Sequence, residues 1–140
     1  MNVLGIDPGR DKTGVAVVAS DGHICFRTIV ETGKVNEAIE PLIRQWMITR
    51  IALGDSTSSR AARGEIENLI AKRSWENVRI ELVDEKNSTL EARTLYFQEY
   101  PPRGLRKLLP ISSQVPPMPV DDFAAVIVAR RLLAKVSRRE

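Results

Sequence analysis

The stretch Val3-Leu4-Gly5-Ile6-Asp7-Pro8-Gly9-Arg10-Asp11-Lys12-Thr13-Gly14, continuing into Val15-Ala16-Val17-Val18, decides how the rest of the chain is read. A short apolar run delivers one carboxylate, Asp7, to a strand end; Pro8 and Gly9 turn the chain, and a second apolar run carries it away. An aspartate inside or just after a buried strand is costly unless a basic partner or a bound cation compensates its charge. Asp7 is therefore the first functional candidate.

Working outward, residues 14–20 read as a second strand. Asp21-Gly22 is a two-residue hairpin signal, which makes residues 24–31 a third strand, antiparallel to the second. The apolar spacing then changes. Val35, Ala38, Ile39, Leu42, Ile43 and Trp46 recur at helical intervals and predict a helix over 35–47, with Pro41 inside it, where a proline delays or kinks a helix. A fourth strand, 48–54, ends in the polar run Asp55-Ser56-Thr57-Ser58-Ser59; a helix over 60–72 and a fifth strand over 78–83 follow. Ser88-Thr89-Leu90-Glu91 has the form of a capping box opening a helix through about residue 97. Residues 100–119 are broken by prolines yet carry Leu105, Leu108, Leu109 and Ile111 among bases, and the final helix is expected over 120–136. A three-stranded meander followed by alternating strands and helices predicts an α/β fold: a mixed five-stranded sheet, antiparallel and then parallel, flanked by helices.

A chain of 140 residues with 43% apolar and 28% charged content is expected to form a single globular domain over 1–140. No apolar run approaches the ~20 residues of a membrane span. With no export pattern at the start and Cys25 as the sole cysteine, the expected compartment is the cytoplasm, and an intramolecular disulfide or a cysteine metal site is excluded. His23 is the sole histidine, expected exposed in the hairpin, so a histidine metal site or a serine-histidine-acid triad is excluded too. Trp46 and Trp75 are expected to pack at helix edges. The net charge is only +3, with a pI near 9.3, but bases gather at Arg103, Arg106, Lys107 and at Arg130, Arg131, Lys135, Arg138, Arg139. Such clusters are either solvated faces or contacts to a polyanion.

Element ends supply the acids: Asp7 after strand one, Asp55 after strand four, Asp84-Glu85 after strand five, and Asp121-Asp122 opening the last helix, where a carboxylate also serves as a cap. Parallel strands present their C-terminal ends at one edge, so Asp55 and Glu85 can approach there, with Asp7 beside them if strand one is central. Clustered carboxylates either hold protons or hold hard cations. Magnesium or manganese suits oxygen ligands, and ions of this kind activate water against a phosphodiester. Acids at the centre and bases around them suggest a metal-dependent nuclease.

The motifs Gly5-Ile6-Asp7-Pro8-Gly9 with Thr13-Gly14-Val15-Ala16-Val17, then Asp84-Glu85-Lys86-Asn87-Ser88-Thr89-Leu90-Glu91-Ala92-Arg93, then Val120-Asp121-Asp122-Phe123-Ala124-Ala125 stand in one order over nearly the whole chain. They resemble the YqgF family of ribonuclease H-like proteins, related to the RuvC resolvases. The resemblance implies a ribonuclease H-like fold and the family's activities, Holliday-junction resolution or maturation of the precursor of small-subunit ribosomal RNA. Position by position, it implies that Asp7, Glu85 and Asp121 are catalytic acids that bind Mg²⁺ or Mn²⁺. Asp7 would bridge the metals or orient the attacking water, Glu85 would be a ligand, and Asp121 would complete the site. Asp55, Asp84 and Asp122 are the further ligand candidates. Lys86 falls where the family carries a base, and with Lys12, Arg103, Arg106 and Lys107 it makes up the expected nucleic-acid contacts. One departure stands out: Leu53-Gly54-Asp55-Ser56 replaces the family's apolar-Gly-Leu-Pro turn and puts an acid near where the RuvC relatives carry theirs, so Asp55 competes with Glu85 as second ligand. The expected partner is branched DNA or structured RNA, and symmetric cleavage of a four-way junction calls for a homodimer. The alternative is a module of the same fold that binds nucleic acid without cutting it.

Overall fold

The computed structural model describes residues 1–110 and 114–139; Ile111 of the proline-rich segment lies outside the described residues. Five strands form one mixed sheet in the order β3-β2-β1-β4-β5. They are β1 (Asn2–Asp7), β2 (Lys12–Ala19), β3 (Ile24–Glu31), β4 (Arg50–Gly54) and β5 (Arg79–Val83). The pairs β1-β2 and β2-β3 are antiparallel; β1-β4 and β4-β5 are parallel. Strand β1 is thus central, the position from which Asp7 can meet acids from both sides. The hairpin between β2 and β3 turns at Gly22 with φ at +90°, and His23 beside it is exposed, as its sequence context predicts.

Strand alternation divides the sheet into two unlike faces. Leu4, Ile6, Val15, Val17, Ile51 and Leu53 point to one face and are buried under helices α1 (Val35–Gln45) and α2 (Ser59–Arg73), with Trp46 and Trp75 packed at the margin. Val3, Ala16, Val18 and Ala52 point to the other, under α4 (Asp121–Arg139), against which α3 (Ser88–Glu99) packs in turn. Because α4 lies between the sheet and α3, it is buried from Asp122 through Ala129 without interruption.

Several boundaries differ from the sequence expectation for local reasons. Strand β2 starts at Lys12 rather than residue 14, because Lys12 and Thr13 pair with Glu31 and Val30. Pro41 does not delay α1, since the proline and Glu37, whose carbonyl it leaves unpaired, are both exposed to water. Ile48 closes the end of α1 instead of opening β4: its N–H donates to the Ile43 carbonyl (2.9 Å), after Met47 takes a left-handed turn at φ +49°. The capping box at residues 88–91 does not form. Asn87 precedes α3 with φ at +62° and no side chain caps the helix; Ser88 is buried, and Glu91 is drawn to Arg131 instead. In the proline-rich segment a 3-10 turn spans Gly104–Leu108, and the buried Gln114 amide donates to the carbonyls of Arg106 (2.9 Å) and Leu109 (3.2 Å), folding the segment on itself.

Candidate active site

Register places the site around the end of β1. Asp7 pairs with Gly14 on β2, while on the other side Ile6 pairs with Leu53, bringing the β1 end beside Gly54. Each of these flanking glycines makes room for a partner acid. A Cβ at Gly14 would collide with the Asp121 backbone carbonyl, so the absence of a side chain there lets the first turn of α4 sit directly on β2. A Cβ at Gly54 would collide with the carboxylate of Glu85. Asp121 enters over Gly14 and Glu85 over Gly54, with Asp7 between them.

The electrostatics agree with that convergence. Asp7 is raised from 3.8 to about 8, first by burial, then by a hydrogen bond with Glu85, and then by the negative charges of Glu85 and Asp121. A hydrogen bond between two carboxyl groups needs a proton between them. Without such a proton, Glu85 Oε1 is buried and, among the described residues, has no hydrogen-bond partner. Asp121 is raised as well, by burial and by the charge of Asp122. Three acids therefore crowd a space where, among the described residues, no ion pair to a base compensates their negative charge, and Asp7 answers by holding a proton.

The donor set fits a hard divalent cation. Oxygen ligands alone are on offer, one of them an orphaned buried oxygen, and a cation would replace the proton that now relieves the repulsion. Asp7 and Glu85 are in hydrogen-bond contact, whereas Asp121 acts on Asp7 through charge; among the described residues no three acid, histidine or cysteine side chains stand close enough to form a ready-made metal cluster.

The remaining candidate acids are placed differently. Asp122, adjacent to Asp121, is buried but already paired: Oδ2 accepts from Arg27 Nη1 at 2.7 Å and Oδ1 accepts the Phe123 N–H at 3.0 Å. Asp84 is exposed and accepts the Lys86 backbone N–H (2.9 Å). Asp55 is exposed, with its own N–H given to the Val83 carbonyl (2.8 Å). Lys12, Lys86, Arg103, Arg106 and Lys107 are all exposed.

Sequence reasoning missed two arginines that set this geometry. Arg27, on β3, lies 4.2 Å from the centre of the Phe123 ring and also donates to the Tyr100 hydroxyl (2.9 Å), fixing the start of α4 to the sheet edge and to the end of α3. Its signal was a single base within the apolar run Ile24-Cys25-Phe26-Arg27-Thr28-Ile29-Val30. Arg131, on α4, donates to the carbonyls of Asp84 (2.7 Å) and Lys86 (2.9 Å), the two residues flanking Glu85, and to Glu91 Oε1 (2.9 Å). One helix thus supplies Asp121 and also straps the loop that supplies Glu85.

The chain matches the family model described as RuvX: Holliday junction resolvase across residues 1–135. It belongs to that family. The YqgF resemblance read from the motifs is the same assignment. Among solved structures, Thermus thermophilus RuvC aligns at 15% identity over 99% of this chain and 96% of its own, with a TM-score of 0.64. The same protein in complex with a Holliday junction substrate aligns at 17% identity over 99% and 96%, TM-score 0.59. The fowlpox virus Holliday junction resolvase aligns at 12% identity over 100% of both chains, TM-score 0.57. These likenesses identify the fold as the ribonuclease H-like fold of RuvC-type resolvases. No curated relative matches the chain.

Proposed function

We propose that this RuvX-family chain, acting as one domain over residues 1–140, is a divalent-metal-dependent endonuclease that hydrolyses phosphodiester bonds in branched DNA. The observation that carries this reading is the meeting of Asp7, Glu85 and Asp121 around a protonated carboxyl at the end of the central strand. Asp7, Glu85 and Asp121 would hold Mg²⁺ or Mn²⁺; when bound, the ion supplies Lewis acidity toward water and the phosphodiester. Asp7 must give up its proton to ligate, so the site is poised to exchange a proton for a cation. Arg131 holds the backbone on either side of Glu85, and Arg27 pairs with Asp122, whose charge still bears on Asp121. Lys12 and Lys86, exposed on either side, together with Arg103, Arg106 and Lys107, would hold flanking phosphates. Family membership and the substrate named for the Thermus thermophilus relative favour a four-way junction, with ribosomal RNA precursor the substrate to test beside it. Symmetric cutting of such a junction requires two copies of the chain. Among the described residues no helix is long and apolar enough to cross a membrane.

A second reading, a module that binds without turnover, is favoured by one observation: Asp121 does not stand with the other two acids as a finished metal cluster. Cleavage of a labelled four-way DNA junction and of a ribosomal RNA precursor fragment, with Mg²⁺ or Mn²⁺, decides between them. Wild type should cut the junction and Asp7→Asn should not. Binding of both substrates without any cutting by wild type would give the module reading the field.

A further inference from the structure

Behind the loop that carries Glu85 lies a cavity of about 480 Å³ whose lining includes Lys86, Arg131, Lys135 and Arg138, with Asp84 as its acid and Asn87 at its rim. The four bases come from two elements: Lys86 from the β5–α3 loop, the others from the last half of α4. A basic helix end has an ordinary explanation in the helix dipole, but the dipole does not account for a lysine brought from another element to face it. Two of the four bases are engaged within the protein and two are not. Glu81 takes Arg139 (3.2 Å) and lies 3.8 Å from Lys135, and Arg131 is committed to backbone carbonyls and Glu91. Lys86 and Arg138 are exposed and, among the described residues, their side chains have no ionic partner. Asp84, which accepts the Lys86 N–H, is the one acid of the lining against four bases, so the cavity wall carries a net positive charge.

We propose that this cavity is a second phosphate subsite, which takes a backbone phosphate of the nucleic acid outside the cleavage site, held by Lys86, Lys135 and Arg138. The subsite rests on the nucleic-acid reading above and deepens it: the chain behind Glu85, and not only the proline-rich segment, grips the substrate. A phosphodiester is the occupant that suits bases from two elements converging on an open hollow, with Lys86 and Arg138 free of ionic partners among the described residues, since each lysine or arginine that meets a phosphate displaces condensed counterions. Because Arg131 holds both the cavity wall and the carbonyls beside Glu85, a strand docked there is held in register with the catalytic loop.

The test is the salt dependence of binding to a four-way DNA junction, measured in EDTA so that cleavage plays no part. The variant is Lys135→Gln with Arg138→Gln; Lys72→Gln, an exposed lysine on α2, is the charge control. The double variant should lower the slope of log affinity against log salt by about two, roughly one for each cation withdrawn from the phosphate backbone, while Lys72→Gln leaves it unchanged. An unchanged slope in the double variant, or an equal fall in the control, overturns the subsite. If the double variant fails to fold, Arg138→Gln alone should lower the slope by about one, and no fall overturns the proposal. Inorganic pyrophosphate followed by calorimetry is the companion probe: pyrophosphate binding that the double variant loses, with junction slopes equal, would assign the cavity to a small anion and overturn it as well. Wild type that binds no junction at all would sink both this proposal and the nuclease reading. Wild type that binds and cuts with an unaltered variant slope would sink the subsite alone.

Discussion

Leu53 and Gly54 are neighbours on β4 and face opposite ways. Leu53 is fully buried under α1 and α2, in a face built of large aliphatic side chains, whereas Gly54 offers no side chain and is covered by the Glu85 carboxylate. The same division runs along β1 and β2: Ile6 against Asp7, and Val15 against Gly14. Both faces bury apolar side chains, but the α4 face, small at Gly5, Gly14, Ala16, Ala52 and Gly54, trades side-chain volume for close approach so that polar groups can be delivered to one point. The lesson is that stability and chemistry are separated here by the strand's two-residue period, not by distance.

The division is broken most severely at that neighbouring pair. In Gly54→Ala the new methyl meets the mobile end of a side chain rather than backbone, so Glu85 moves aside at little cost to folding. A displacement of a reacting group by about 1 Å can cost ~100-fold in rate, and a loss of junction cleavage on that scale with a nearly unchanged melting temperature is the expected result. Leu53→Ala should do the reverse, losing about 2–5 kcal/mol of stability to an empty core site while the folded fraction still cuts. Denaturant unfolding and single-turnover cleavage of the two variants measure both. Equal losses of activity per folded molecule would show that the two faces are not independent.

A smaller effect sharpens the comparison through pH. Asp7 is raised from 3.8 to about 8, so at neutral pH the metal-free folded protein keeps a proton that the unfolded chain has released. Stability contributed this way is fully present below pH 3.8 and is lost as pH rises toward about 8. At most the slope is that of one proton, about 1.4 kcal/mol per pH unit. In EDTA the melting temperature of wild type should therefore fall between pH 5 and 8. Asp7→Asn should be flatter and more stable than wild type at the alkaline end, while Leu53→Ala keeps the wild-type slope from a lower start. Parallel curves for wild type and Asp7→Asn would remove the protonated carboxyl from the account.

Much of this was legible in the sequence. The short apolar run ending in Asp7 announced a strand that delivers a carboxylate at its end, and the Asp21-Gly22 turn announced the hairpin from β2 to β3. Central placement of β1 stood only as a condition in the sequence and follows from its pairing with both β2 and β4. Three things were not legible, each because it depends on contacts between residues far apart in the chain. The failed capping box at Ser88 reflects the pull of Arg131 on Glu91 across 40 residues of sequence. The different fates of Asp121 and Asp122 depend on Arg27, distant from Asp122 by 95 residues. The roles of Gly14 and Gly54 appear only when the helix and loop that press on them are in place.

The smallest predicted effect concerns the acid that competes with Glu85. Asp55 follows Gly54 and, by its place after β4, is the natural rival for the second ligand position. Its backbone is tied to β5 through the Val83 carbonyl, but the residue is exposed, whereas Glu85 is half-buried and has an oxygen shut away from water without a partner. A buried oxygen lacking a donor gains far more from a cation than one already solvated, because its desolvation cost is already part of the folded state. Asp55→Asn should therefore leave junction cleavage within about twofold of wild type, the scale of an ordinary surface substitution near 0.5 kcal/mol. Glu85→Gln should reduce it by roughly the 100-fold expected for a displaced reacting group. If the two substitutions cost the same, the ligand position is shared, and the acid delivered over Gly54 loses its separate standing.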